Sequence, residues 1–195
     1  MKTSGCWLFL ILATGLCVNV VRPLNAASFT LTAREREEAV QLGKRSVISE
    51  EFGGEWKVSG EGAGQSLTVM TPFHRLALAA RNSAFKSQEL KQKDIDALLQ
   101  EQEGTLTLWV TLKGGKIDFA RFYAPVLVNG RQQIKARFAQ NERTALREDD
   151  GSYTARCLYV FAAQSLKADD KPVLIVKDSD DKQVAKFTLD LSVMR

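Results

Sequence analysis

The chain has 195 residues, of which 45% are hydrophobic and 26% charged, with 27 basic and 23 acidic side chains. Removal of residues 1–26, the predicted signal peptide, leaves 169 residues with 25 basic and 23 acidic side chains. That length suits one domain with a sizeable hydrophobic core. A nearly neutral chain offers no long-range attraction to nucleic acid or anionic lipid, so the composition argues against both as partners.

Residues 1–26 have the three-part layout of a secretory signal peptide. Lys2 supplies a positive start, an apolar run extends from Leu8 to Val21, and small residues follow it. The run of about 14 residues is shorter than the roughly 20 of a spanning helix, which favours cleavage over an uncleaved anchor. We therefore predict cleavage after Ala26 or Ala27 and an exported protein, periplasmic or secreted, without a transmembrane anchor.

The cysteines support the same reading of the N-terminus. A lipoprotein signal ending at Cys17 is disfavoured, because Leu16 stands where a small residue is needed. Cys6 and Cys17 leave with the signal, so Cys157 remains alone and the mature chain has no internal disulfide. Cys157 shares one face of a strand pattern with Tyr159, which predicts a packed thiol rather than a reactive one.

The segment 27–65 is predicted to be a helical and Gly-rich lead-in. Thr32 and Glu35 have the spacing of a capping box, and Gly43 is placed to close the helix. Five glycines follow between residues 53 and 65 around Trp56. No Gly-Lys-Ser or Gly-Lys-Thr accompanies them, so a loop around a short strand is favoured over a phosphate site.

Residues 66–195 are predicted to form a single β-sandwich domain with a helical insertion at about 72–103. Thr71-Pro72 is a helix start, and a second helix is expected to follow Ser87 and to end at Gly104. From Thr105 onward the apolar residues recur with a period of two.

Turn signals divide that part of the chain into strands. Gly114-Gly115 predicts a tight hairpin, and Asn129-Gly130 predicts a type I′ turn. The strand after it alternates Ile134, Ala136 and Phe138 against basic residues. Turns every 8 to 12 residues bound about seven or eight strands. We predict a mainly β, α+β fold: an antiparallel β-sandwich or open barrel, immunoglobulin-like only in its rhythm.

The residues needed for common catalytic sites are scarce. His74 is the only histidine, and its place at a helix start beside Arg75 offers no nucleophile-and-base arrangement. We expect it to face solvent or to pack against the helix. A carboxylate-based hydrolase stays open as an alternative, because two acids can meet in space without a sequence motif. We predict no catalytic residue and no cofactor.

One acidic cluster suggests a calcium site. In an up-and-down strand order, the turns around residues 149–150 and 178–181 lie at the same end of the sheet. Aspartates are common in turns for local hydrogen-bonding reasons, which is the competing explanation. A calcium-stabilised surface or adhesion domain is therefore a further alternative, with these candidate ligands: Asp149, Asp150, Asp178, Asp180 and Asp181.

Arg131, Lys135 and Arg137 line one strand without interleaved aromatic residues, which favours a solvated strand face over a nucleic-acid surface. With no catalytic constellation in the sequence, the first hypothesis is an exported module that binds another extracytoplasmic protein. Its contacts would be made through exposed strand edges or the Gly-rich loop near Trp56.

Overall fold

The computed structural model describes residues 29–195, so the predicted signal peptide lies outside the described residues. Helices α1 (Ala33–Arg45), α2 (Pro72–Phe85) and α3 (Gln92–Glu101) lie in the N-terminal part. The strands are β1 (Lys57–Ser59), β2 (Ser66–Met70), β3 (Thr105–Gly114), β4 (Ala124–Asn129), β5 (Gln132–Gln140), β6 (Leu146–Arg147), β7 (Tyr153–Ala162), β8 (Val173–Lys177) and β9 (Gln183–Thr188). Across residues 29–195, no helix combines the length and apolar character that crossing a membrane requires.

The sheet is antiparallel and curls into a nearly closed barrel of eight strands. Their order is β1-β2-β3-β7-β5-β4-β8-β9, and β6 pairs with the start of β7 outside that path. The two ends of the order meet where the Glu61 amide donates to the Lys186 carbonyl at 3.2 Å. The predicted α+β class with a sandwich or open barrel is confirmed, and the barrel is the form observed.

Side chains fill the barrel, because alternate residues of each strand point inward. On β3 and β7, eight of these inward residues are buried: Leu106, Leu108, Val110, Leu112, Ala155, Cys157, Tyr159 and Phe161. The opposite rows of the same strands therefore form the outer surface of the barrel.

Helix α1 begins as predicted and ends later than predicted. Thr32 caps it, and the Thr32 amide donates to the Glu35 carboxylate at 2.7 Å, which confirms the capping box. The helix continues through Gly43 to Arg45, so the prediction that Gly43 closes it is wrong. Gly43 lies where α1 packs on α2, and a Cβ there would collide with the Ala77 carbonyl oxygen.

One predicted hairpin is absent and another is shifted. Strand β3 pairs with β2 and β7 rather than with β4, so the hairpin predicted at Gly114-Gly115 is wrong. A Cβ on Gly114 would overlap the Phe119 ring, so the close packing of this ring accounts for a glycine at position 114. The hairpin from β4 to β5 is confirmed one residue later than predicted, because Asn129 pairs with Gln132 and Gly130 (φ 57°) opens the loop.

Candidate functional site

The five candidate aspartates lie in two separate turns. Asp149 and Asp150 precede β7, whereas Asp178, Asp180 and Asp181 connect β8 to β9. The antiparallel pairings of β7, β5, β4 and β8 place both turns at the same end of the barrel. Strands β5 and β4 stand between β7 and β8, so the two turns are not neighbours around the barrel.

Each of these turns uses its aspartates locally. Asp150 accepts a hydrogen bond from the Ser152 amide at 2.9 Å, and its hydrogen bonds with Ser152 lower the pKa of Asp150. Asp178 accepts one from the Lys182 amide at 3.0 Å. In the described range, 29–195, no three His, Cys, Asp or Glu side chains are grouped closely enough to hold a metal ion. These contacts are the local bonds that make aspartate common in turns.

His74 belongs to a buried aromatic stack. It is 5% exposed, and its ring lies flat on Trp56 with the centroids 4.1 Å apart. Its Nδ1 lies 3.0 Å from the Val69 carbonyl oxygen, which can only accept, so Nδ1 carries the proton. Burial lowers the pKa of His74, and the Val69 hydrogen bond offsets part of that effect. The packing alternative for this histidine is the one observed.

Trp56 is held in the interior by the end of the chain. It is 1% exposed, and its Nε1 donates to the main-chain oxygen of Arg195 at 2.8 Å. The Arg195 guanidinium forms two hydrogen bonds with Glu55 and lies 5.1 Å from the centroid of the Phe73 ring. A depression of about 190 Å³ beside it is smaller than the roughly 300–1,000 Å³ of ordinary ligand pockets. Trp56 is therefore a packing residue, not a surface contact.

The Gly-rich loop between β1 and β2 covers the seam of the barrel. Beyond the Glu61 amide contact with β9, the Lys186 ammonium lies 2.7 Å from the Glu61 carboxylate. A Cβ on Gly60 would lie 2.8 Å from the Phe187 ring, so this loop approaches β9 closely. The loop predicted as a contact surface thus forms part of the barrel closure.

Cys157 and Tyr159 place polar atoms inside the barrel. Cys157 is 1% exposed, as predicted for a packed thiol, and burial raises its pKa. The Tyr159 hydroxyl donates to the Asn141 side-chain oxygen at 2.9 Å, and burial also raises the pKa of Tyr159. Both groups are therefore protonated at neutral pH and are enclosed by packed side chains.

A polar groove of about 520 Å³ runs along the exposed face of α1. Its two carboxylates, Glu37 and Glu38, are consecutive on one helix, and consecutive helical residues do not face each other. Glu38 is also paired with Arg34 at 2.8 Å. A glycoside hydrolase needs two acids across the substrate, roughly 5–10 Å apart. This groove does not supply that arrangement.

An apolar surface that was not predicted from the sequence lies on the outside of the barrel. We call it the Trp109 patch, and it consists of Trp109 on β3, Leu158 and Val160 on β7, and Phe138 on β5. Trp109 is 49% exposed and Phe138 is 51% exposed. Leu158 and Val160 are half-buried between them.

Strand register brings these four side chains together. Trp109 pairs with Leu158 across β3 and β7, and Phe138 pairs with Val160 across β5 and β7. Paired residues point to the same face of a sheet, so all four lie on the outer surface. Three adjacent strands thus build one apolar area.

The sequence indicates that Trp109 lies on the outer face of the sheet, but its alternation predicts the wrong face for Phe138. Trp109 occurs in the row of β3 that also holds three threonines, so the sequence shows an aromatic residue at a solvent-face position. Phe138 was predicted to share a face with Ala136, and that prediction is wrong. The register shifts between Ala136 and Phe138, and such a bulge turns the following side chain to the other face.

No protein-family model matches the chain, and no curated protein matches it. A solved structure from Burkholderia pseudomallei, described as a novel protein of unknown function, is similar to it over 84% of this chain and 91% of that chain. The two sequences are 13% identical, and the TM-score is 0.41.

Proposed function

We propose that this chain is an exported, non-enzymatic module that binds another extracytoplasmic protein through the Trp109 patch. The observation that carries the proposal is the pair of half-exposed aromatic side chains, Trp109 on β3 and Phe138 on β5, on the two strands that flank β7. Contiguous apolar surface on a folded domain marks interaction sites, and tryptophan is enriched among the residues that dominate binding energy.

The strands under the patch make it a rigid surface. Strands β3 and β7 are paired from Thr105–Ala162 to Gly114–Tyr153 without interruption. Their inward side chains are packed in the barrel core, so the outer side chains start from fixed backbone positions. A surface that is already ordered loses little conformational entropy on binding, which favours a protein contact.

Export is the other half of the proposal, and the pattern of residues 1–26 supports it. N-terminal sequencing of material from the extracytoplasmic fraction is expected to begin at Ala27 or Ser28. A chain that begins at Met1 would contradict the proposed location and with it the class of partner.

The binding role is tested by crosslinking in the native extracytoplasmic fraction. We expect the double variant Trp109→Ser with Phe138→Ser to lose the partner that the unchanged protein captures, because its apolar contact is removed. Phe122→Ser is the matched control, since Phe122 is 69% exposed and lies outside the patch. Thermal melts must show that both variants fold. Equal capture by all three proteins would exclude the patch as the contact surface.

A further inference from the structure

We infer that the Trp109 patch recognises an acidic protein surface, in which carboxylates lie beside an apolar contact. This inference rests on the proposed function and adds the chemistry of the partner. It comes from the charged residues that border the patch on β5 and β7.

Three exposed cations border the patch: Lys135, Arg137 and Arg156. Arg156 precedes Leu158 by two residues, so the two share the outer face of β7. Arg137 adjoins Phe138 at the register shift, and its guanidinium reaches the Gln164 side-chain oxygen at 3.5 Å. Among the ion pairs within residues 29–195, none includes these three cations.

An acid beside this border, Glu142, bonds to the backbone and forms no ion pair with the three cations. Glu142 accepts a hydrogen bond from the Arg156 amide at 2.7 Å, so its carboxylate is held by the backbone. Lys113, on the outer row of β3, differs from the three border cations because it lies 3.5 Å from Asp150. The patch therefore presents cations without an ion-pair partner among the described residues at its β5 and β7 side and a lysine paired with Asp150 at its β3 side.

The same charges argue against a second copy of this chain as the occupant. A symmetric dimer through the patch would bring identical surfaces together. Lys135, Arg137 and Arg156 of one copy would then face a surface with the same cations, and like charges at an interface oppose association. A partner with carboxylates at the corresponding positions gains attraction instead.

The shape of the patch favours a protein over a lipid surface. Trp109 and Phe138 lie along strands and are only about half exposed, against Leu158 and Val160. A peripheral protein inserts apolar side chains into the headgroup region, which requires them to project. A protein partner can instead cover the area side by side.

The experiment uses the purified exported protein and three synthetic peptides that alternate leucine with glutamate, serine or lysine. Trp109 reports on binding, because Trp56 is buried and insensitive to solvent at the surface. We expect the glutamate peptide to shift Trp109 emission to shorter wavelength and to bind about tenfold more tightly than the serine peptide, with binding weakened by salt. The lysine peptide should not bind.

Charge reversal supplies the second arm. Lys135→Glu with Arg156→Glu should lower the affinity for the glutamate peptide by about tenfold or more. The matched control is Lys86→Glu with Lys91→Glu, which changes the same charge on exposed residues beside α2 and α3. Melts of both variants must match the unchanged protein.

Each outcome has one meaning. Equal binding of the glutamate and serine peptides, or no effect of charge reversal, overturns the inference of an acidic partner. The proposed function is then still tested separately, by crosslinking with the Trp109→Ser, Phe138→Ser double variant. No binding of the glutamate peptide also overturns the inference of an acidic partner. An emission shift with phosphatidylglycerol vesicles, without a shift for the peptide, would assign the patch to a lipid surface.

Discussion

At the scale of single residues, the setting of His74 determines its protonation. The ring is stacked on Trp56 and donates from Nδ1 to Val69, so the single N–H of the neutral form has its acceptor. In the unfolded chain its pKa is near 6.5, whereas burial lowers it in the folded state. The unfolded state therefore binds the extra proton first as the pH falls. Stability due to neutral His74 is present above pH 6.5 and decreases below it.

We predict that acid weakens this protein partly through His74. Between pH 6.5 and 5, the free energy of unfolding should fall by up to about 1.4 kcal/mol per pH unit from this group. His74→Phe keeps an aromatic ring against Trp56 and removes the titration. Urea unfolding at pH 7, 6 and 5 measures both proteins. The variant should be less stable at pH 7, because Val69 loses its donor, and should show a flatter pH dependence.

Identical slopes for the two proteins would contradict this account. The structure also sets the expected cost of His74→Ala. A solvent-facing ring was one prediction from the sequence, but the ring is 5% exposed, so removing it leaves a cavity. Loss of a large buried side chain costs about 3 kcal/mol or more, so that variant suits a stability test rather than a test of function.

At the scale of elements, the contact between α1 and α2 depends on Gly43. Glycine is a poor helix former, costing about 1 kcal/mol relative to alanine. Its presence inside α1 is explained by the close approach of α2, since a Cβ would lie 2.8 Å from the Cβ of Ala80 and would collide with the Ala77 carbonyl. The two helices therefore pack this closely only with a glycine at position 43.

We predict that Gly43→Ala destabilises the protein by about 1–3 kcal/mol, although alanine favours the helix. The added methyl must push α1 away from the backbone of α2. The matched control is Gly54→Ala, because a Cβ there meets nothing within 4 Å. Chemical denaturation of both variants gives the comparison. A stabilised Gly43→Ala variant would show that α1 and α2 are not packed this closely.

At the scale of the whole molecule, strand order determines what the acidic turns can do. The turns that hold Asp150 and Asp178 share one end of the barrel, but β5 and β4 separate their strands. Each turn has only two or three carboxylates, and those of Asp150 and Asp178 are hydrogen bonded to the backbone of their own turn. Calcium takes about six to eight oxygen ligands, so one turn supplies too few.

We therefore predict that calcium leaves the thermal melting temperature unchanged. Binding to the folded state at a hundredfold excess over Kd would add about 2.7 kcal/mol and raise the melting temperature by several degrees. The measurement compares millimolar calcium with chelator. A clear rise that Asp178→Asn with Asp180→Asn abolishes would instead establish the calcium-stabilised alternative.

Local sequence was sufficient for much of the secondary structure. The capping box of Thr32 and Glu35, the helix start at Thr71-Pro72 and the alternation of β3 and β7 are all confirmed. These features depend on contacts between residues two to four positions apart, and such contacts are set by backbone geometry alone. The packed state of Cys157 followed from the same alternation.

Tertiary structure decided the features that join distant parts of the chain. The sequence alone determined that strands of a given period would form, but not that β5 would lie between β4 and β7. The fit of Gly43 against α2 and the outward turn of Phe138 depend on partners far away in sequence. The Trp109 patch exists because the pairing registers of β7 with β3 and with β5 bring its side chains together. Register is selected by the packing of the whole core rather than by any one strand.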